Sequence, residues 1–149
     1  MEIEAAKILN AAQRSVDLTV RAVMNGTDES RKADLKVWNV TADPDDVKGK
    51  DIANTIAYPA SGDEPKYIDT VYTAKIADAA EPGDPMTFSD GITAEKGDPA
   101  LLAVGAHELG HGSDGNMKIN NKGQSERDVG RRVQDTIKTS PDVDRSKIK

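Results

Sequence analysis

Both histidines of the chain lie in one short segment, and their spacing is that of a metal-binding helix. His107 and His111 are four residues apart, and Glu108 follows the first of them directly. On an α-helix, residues i and i+4 lie on the same face, so the two imidazoles can bind one metal ion without distorting the backbone. The segment has the H-E-x-x-H pattern of zinc peptidases, in which the histidines bind Zn²⁺ and the glutamate is the general base.

The motif provides two ligands, whereas a catalytic zinc normally has three protein ligands and a water. The chain has no other histidine and no cysteine, so the third ligand must be a carboxylate. A third histidine six residues after His111, as in the metzincins, is excluded because Met117 occupies that position. The downstream candidates are Asp114, Glu126 and Asp128.

Glu126 is the favoured third ligand. It opens the last predicted helix, after a connection (residues 112–125) long enough to bring that helix beside the motif helix, and two histidines with one glutamate form an established catalytic set. Its alternative role is to complement the helix dipole as an acid at a helix start. Asp114 follows the motif where neighbouring glycines favour a plain turn. Asp128 stands three residues after Ser125, the spacing of a capping box, which gives it a structural role.

The composition is that of a lean, polar domain. The chain has 149 residues, of which 36% are hydrophobic and 31% charged, with one Trp, one Phe and three Tyr. This length fits one domain, predicted over residues 1–149. No apolar run is long enough to span a bilayer, and the opening segment 1–10 lacks the apolar part of a secretory signal. The sequence therefore predicts no membrane partner and leaves the cellular location open.

The charge is unevenly distributed. The net charge is −6, and residues 118–149 carry nine basic and five acidic groups, so the preceding part is strongly acidic. An acidic main body argues against a nucleic-acid partner. We expect a protein or peptide substrate instead.

Sequence patterns predict one helix and then several short strands in the first two thirds of the chain. Residues 2 to about 24 have apolar residues, including Ile3, near helical spacing, and Asn25-Gly26 is a natural helix end. Residues 27–34 are predicted to be a polar linker. Strands are predicted at 35–40, 52–58, 67–73 and 86–88. Turns and loops are predicted at 43–46, 59–65, 78–85 and 89–98.

The motif helix is predicted to begin near Asp98-Pro99, with Asp98 as N-cap. Residues 100–106 are apolar on nearly every side, which is typical of a helix buried through the centre of a domain. Residues 117–124 are predicted to be a loop or short hairpin. A last helix is predicted from Ser125 to just before Pro141, followed by a polar tail.

These segments resemble a known family. The apolar run into His107–His111, followed by Ser125–Gly130, looks like the bacterial effector zinc metallopeptidases of the NleD-like type and related domains of polymorphic toxins. The resemblance extends over roughly residues 65–138 and is specific at the two motif segments. Gly112 stands where the family usually has Ala, and Ser125 where an acidic residue is common. The resemblance implies a small zincin domain that is secreted or injected as an effector.

The sequence predicts an α+β fold. We expect a minimal zincin-like domain, in which a small, twisted, mainly antiparallel sheet from residues 35–88 packs on the buried motif helix and the first and last helices flank it. The predicted function is zinc-dependent peptide-bond hydrolysis, with Tyr58, Tyr67 or Tyr72 as candidate donors to the oxyanion. One alternative is a non-catalytic protein-binding module with an accidental or degenerate motif. Another is a hydrolase or metal-storage protein that uses the same ligands without a peptide substrate.

Overall fold

The computed structural model describes residues 2–149, with side chains from Glu4 onward, and combines α-helices with small β-sheets. The α+β class is confirmed. The helices are α1 (Glu2–Met24), α2 (Glu29–Lys36), α3 (Ile76–Ala80), α4 (Asp98–His111), α5 (Asp114–Met117) and α6 (Lys122–Lys138). The strands are β1 (Trp38–Ala42), β2 (Ala53–Tyr58), β3 (Tyr67–Tyr72), β4 (Met86–Thr87) and β5 (Thr93–Ala94), and a 3₁₀ turn spans Arg145–Lys147.

The motif helix α4 is the centre of the core. Its residues from Ala100 to Ala106 are all buried, and α4 packs against α1, α6 and β2. Gly105 lets α1 approach closely, because an added Cβ would overlap Thr19 Oγ1. Ser15 Oγ donates a 2.7 Å hydrogen bond to the carbonyl of Leu101 and lies 2.7 Å from Tyr72 Oη, which joins α1, α4 and β3. The predicted burial of the motif helix is therefore confirmed.

The larger sheet has three strands in the order β1-β3-β2. β2 and β3 form an antiparallel hairpin, whereas β1 runs parallel to β3. The expectation of a mainly antiparallel sheet thus holds only for β2–β3 and for the two-stranded ribbon β4–β5. The parallel pair arises because residues 43–52 carry the chain from β1 past β3 to the opposite edge of the sheet. One sheet face, with Ile68, Thr70 and Tyr72, is buried toward α4.

The predicted linker 27–34 is wrong, since most of it belongs to α2. Asp28 accepts hydrogen bonds from the backbone N–H groups of Ser30 and Arg31, at 3.0 and 3.3 Å, and so caps this helix. Because α2 continues to Lys36, the predicted strand at 35–40 begins only at Trp38. The polar composition of this segment suggested a linker, but the aspartate at its start stabilises a helix by capping it.

Two predicted loops also contain helices. α3 overlaps the predicted loop 78–85, and α5 with the first turn of α6 occupies much of 117–124. The predicted capping box of Ser125 and Asp128 is wrong, because α6 begins one turn earlier, where the Asn121 side chain accepts from the Gln124 N–H at 2.9 Å.

The start of α4 and the end of the chain differ from prediction as well. Gly97, with φ 99°, is the N-cap of α4, and Asp98 instead binds Arg14 of α1 through two hydrogen bonds of 2.7 and 3.1 Å. The predicted polar tail is ordered: Lys149 and Thr93 exchange backbone hydrogen bonds of 2.7 and 2.9 Å, and Ile148 is buried. None of the helices in residues 2–149 has both the length and the apolar character needed to cross a membrane.

Candidate metal centre

The last two turns of α4 present His107 and His111 toward α6. Their Nε2 atoms lie 3.1 Å apart. Glu126 of α6 approaches both rings, with Oε2 at 3.6 Å from His107 Nε2 and Oε1 at 3.6 Å from His111 Nε2. These three residues are the group within residues 2–149 whose ligand atoms lie close enough together to hold a metal ion.

Close helix packing brings Glu126 to the histidines. Val129 of α6 is fully buried and lies against Gly110 of α4, where an added Cβ would be 3.3 Å from a Val129 methyl group. One residue further, Gly130 faces the Asp90 carbonyl, which would be 2.7 Å from an added Cβ. Two glycines therefore allow α6 to lie tightly between α4 and the segment around residue 90. Glu126 is one helical turn before Gly130 and is carried to the site by this contact.

The two other candidate ligands are placed elsewhere. Asp114 begins α5, is largely exposed, and pairs with Lys66 at 2.9 Å. Asp128 accepts hydrogen bonds from Asn116, Arg131 and Arg132, at 3.0, 2.9 and 2.8 Å. Both carboxylates are thus engaged with cationic or amide partners away from the histidine pair.

Asp90 is a site residue that no sequence pattern indicates. Its Oδ2 lies 2.7 Å from His107 Nδ1, and its Oδ1 accepts from the Ile92 N–H at 2.9 Å. We assign the ring proton to Nδ1, because a carboxylate needs a donor, and this leaves the Nε2 lone pair free for a metal. In the sequence, Asp90-Gly91 indicates only a turn, and Gly91 does have a positive φ of 88°. The pairing with a histidine 17 residues away carries no local signal.

The two histidines have opposite pKa shifts. Burial acts to lower the pKa of His107, but the hydrogen bond to Asp90 and the nearby carboxylates Glu108 and Glu126 raise it above its ordinary value. Burial and the neighbouring His107 lower the pKa of His111. A lowered pKa keeps His111 neutral at physiological pH, which is the form that binds metals.

Glu108 lies beside the histidine pair but is held apart from it. Its Oε2 is 3.9 Å from His107 Nε2, and its Oε1 accepts a 2.8 Å hydrogen bond from Thr55 Oγ1 of β2. Burial raises the pKa of Glu108 to about 7, against the lowering effects of His107 and Thr55. A carboxyl group with this pKa can both take up and release a proton near neutral pH.

Cavities adjoin the group on both sides. One of about 670 Å³ is bordered by His111, Thr55, Ala57 and the segment from Met117 to Ile119. A second, of about 220 Å³, is bordered by His107, Glu108 and residues 50–53. β2 borders both, so the site opens along this strand.

The tyrosines considered as oxyanion donors make contacts away from the histidine pair. Tyr72 is fully buried, and its hydroxyl is engaged with Ser15. Tyr58 and Tyr67 stack on each other, with ring centroids 4.3 Å apart. Strand alternation places this pair on the sheet face opposite to Thr55 and α4.

Gly112 has a steric role at the end of the motif helix. It ends α4 directly after His111, and an added Cβ would overlap the side chain of Ile68 in β3. An alanine at this position does not fit beside Ile68 as the strand is packed. The glycine therefore allows β3 to lie against the carboxyl end of the motif helix.

Comparisons of the chain with protein-family models, with curated proteins and with solved structures found no match. The resemblance to NleD-like metallopeptidases therefore stays a prediction.

Proposed function

We propose that this protein is a zinc-dependent peptidase. The observation that carries the proposal is the placement of a buried carboxylate, Glu108, next to a cluster of two imidazoles and a second carboxylate. His107, His111 and Glu126 provide the groups for binding a metal. Glu108, whose Oε2 lies 3.9 Å from His107 Nε2, provides a separate group for moving a proton.

The donor atoms fit zinc. Zn–N and Zn–O bonds are about 2.0–2.2 Å, so two ligands of a tetrahedral ion lie about 3.3 Å apart. The three distances within the group are 3.1, 3.6 and 3.6 Å. Imidazole and carboxylate donors suit zinc, and the chain has no thiolate to offer. The two Glu126 oxygens face different histidines, so small side-chain movements suffice for His107, His111 and Glu126 to bind one ion.

Each residue has a distinct role in the proposed hydrolysis. When bound, zinc supplies Lewis-acid chemistry, which polarises a carbonyl oxygen and makes water more acidic. Glu108 takes the proton of the attacking water and returns it to the leaving amine. Asp90 fixes the ring orientation and tautomer of His107, as carboxylate partners of metal-binding histidines do.

The free edge of β2 supports a peptide substrate. In the order β1-β3-β2, this strand has one edge without a partner among residues 2–149. An extended peptide can pair with such an edge through backbone hydrogen bonds, and its side chains can enter pockets on either side. Because β2 borders both cavities of the site, a peptide bound along it would pass the histidines and Glu108.

The test combines metal binding and cleavage. Chelator-treated protein is titrated with Zn²⁺ and then incubated with a randomised peptide library, which is read by mass spectrometry. We expect one zinc per chain and cleavage at defined positions. Glu108→Gln keeps the side-chain shape and should still bind zinc but lose about 10²–10⁴ in rate.

Three other outcomes would contradict the proposal. Wild-type affinity for zinc in both His107→Ala and His111→Ala would exclude the metal centre. Bound zinc without any peptide cleavage would favour a metal-dependent reaction on another substrate. Undiminished cleavage by Glu108→Gln would show that this residue is not the base.

A further inference from the structure

A row of hydrogen bonds crosses the three-stranded sheet and ends on Glu108. Trp38 Nε1 donates to Thr70 Oγ1 at 2.8 Å, the hydroxyls of Thr70 and Thr55 are 2.8 Å apart, and Thr55 Oγ1 donates to Glu108 Oε1 at 2.8 Å. Each strand contributes one residue, and Thr55 and Thr70 are direct partners in the register of β2 and β3. The row therefore links the far edge of the sheet to the proposed base.

The chemistry of the donors gives this row one direction. An indole N–H can only donate, and each threonine hydroxyl has a single proton. Thr70 accepts from Trp38 and so directs its own proton to Thr55, which directs its proton to Glu108. The opposite arrangement would leave Thr70 accepting from both Trp38 and Thr55, with no partner shown for its own proton. This direction requires an acceptor at the end of the row, and the ionised carboxylate of Glu108 is such an acceptor.

We propose that Trp38, Thr70 and Thr55 are positioning residues, and that their one-way hydrogen-bond chain holds Oε1 of Glu108 so that Oε2 faces the metal centre. This inference rests on the proposed function of Glu108 as a base. Thr70 is 1% exposed, so water cannot readily replace a lost partner within the chain. Because hydrogen bonds in a row polarise one another, a change at Trp38 reaches Glu108 through two intervening hydroxyls.

The first test measures turnover. Thr70→Val removes the middle hydroxyl at nearly constant volume, and Trp38→Phe removes the indole N–H while keeping an aromatic ring. Each substitution should lower kcat about 10-fold, which is the smaller end of the loss seen when residues that orient the groups of a metal site are replaced. KM and zinc affinity should stay unchanged. Thr55→Val should lower kcat at least as much, and Thr55→Ser should restore it.

A matched control exists on the β4–β5 ribbon. The hydroxyls of Thr87 and Thr93 also lie 2.8 Å apart, but this pair is exposed. Thr93→Val removes a hydroxyl–hydroxyl bond of the same length and should leave kcat unchanged. Wild-type kcat in Thr70→Val, or an equal loss in Thr93→Val, would overturn the proposal.

A second test needs no activity. Trp38 is the single tryptophan, so the protein has one indole N–H resonance in its ¹H–¹⁵N spectrum. Thr55→Val leaves the bond from Trp38 to Thr70 in place but removes the next acceptor. We expect the indole proton to move upfield in this variant, and further in Thr70→Val, but not in Thr93→Val.

The two tests distinguish a failure of the hydrogen-bond chain from a failure of the proposed function. A zinc-loaded wild type that cleaves no peptide would refute the proposed function but would not test the hydrogen-bond chain. In that case the indole resonance still tests it. A shift of this resonance in Thr55→Val supports the one-way hydrogen-bond chain, and an unchanged resonance overturns it.

Discussion

His107 Nδ1 lies 2.7 Å from Oδ2 of Asp90, whose side chain is 1% exposed. A buried carboxylate needs a compensating partner, and the protonated Nδ1 of His107 is that partner here. The opposite ring nitrogen is thereby left as an acceptor directed at His111 and Glu126. The proposed metal centre therefore depends on a fourth residue, Asp90, which orients His107 and is not one of the three candidate ligands.

The first prediction concerns this pair. Asp90→Asn keeps an acceptor oxygen but removes the charge that favours the Nδ1–H tautomer. Zinc affinity should fall about 10–100-fold, as for other partners of metal-binding histidines. Competition with a chromophoric chelator measures the affinity, and Asp135→Asn, on the exposed side of α6, is the control. Equal affinities for both variants would mean that Asp90 does not orient His107.

The second prediction concerns the third ligand. Glu126→Ala should weaken zinc binding strongly, because it removes one of the three protein donors. Asp114→Ala should leave the affinity unchanged, since that carboxylate pairs with Lys66. Calorimetric titration of both variants provides the comparison. A loss of zinc in Asp114→Ala, with retention in Glu126→Ala, would reverse the assignment.

The third prediction concerns the contact between α6 and the Asp90 segment. In Gly130→Ala, the new Cβ would meet the Asp90 carbonyl at 2.7 Å, so the helix or the segment must move. Stability should fall by about 1–3 kcal/mol, the usual cost of overpacking, and zinc affinity should fall with it. Urea unfolding and zinc titration measure the two effects.

Gly123→Ala is the matched control for this substitution. It lies on the same helix, but its added Cβ would have neighbours no closer than 3.4 Å, which is ordinary van der Waals contact. It should change stability by no more than about 1 kcal/mol, in the stabilising direction expected for Ala over Gly in a helix. Similar losses in Gly123→Ala and Gly130→Ala would show that the Asp90 contact is not the cause.

The fourth prediction is a pH dependence. The hydrogen bond from the Ser30 hydroxyl, with help from the capped N–H groups, holds the pKa of Asp28 below its ordinary value of 3.8. A carboxylate with a lowered folded-state pKa stabilises the fold above its unfolded pKa and loses this contribution as the pH falls through the folded value. Asp28→Ala should cost about 0.5–2 kcal/mol at pH 7.

Asp28→Asn separates the cap from its charge. Asparagine caps helices about as well as aspartate, but it does not titrate. Urea unfolding of wild type and Asp28→Asn should therefore differ most above pH 3.8 and converge as the pH falls below it. A difference that stays constant down to pH 2 would show that the charge of Asp28 does not stabilise α2.

Local patterns predicted the parts of the fold whose signals are local. The apolar run at 100–106 indicated a buried helix, and a segment rich in β-branched and aromatic residues indicated β3. The i, i+4 spacing of His107 and His111 follows from helix geometry alone, and the placement of Glu126 opposite them required only that α6 pack beside α4. These features depend on residues within a few positions of one another or on a single packing choice.

The features that were missed depend on tertiary contacts. Asp28 and Asn121 are N-caps of helices that begin in segments whose polar residues had predicted a linker or a loop. The pairing of Asp90 with His107, and of Thr55 with Glu108, joins segments 17 and 53 residues apart. A parallel β1 follows from the path of residues 43–52 rather than from any residue within the strand. No periodicity in the sequence encodes such partners.

The burial of α4 has a consequence for how zinc would bind at the proposed site. The helix that carries both histidines is held by α1, α6 and β2 through apolar contacts, none of which involves the candidate ligand atoms. Removing zinc should therefore leave the fold intact, unlike in a zinc finger, where folding and metal binding are one event. Zinc would then bind to a preformed site in a second-order reaction. The rate of zinc uptake should therefore rise linearly with zinc concentration, without a plateau set by chain rearrangement.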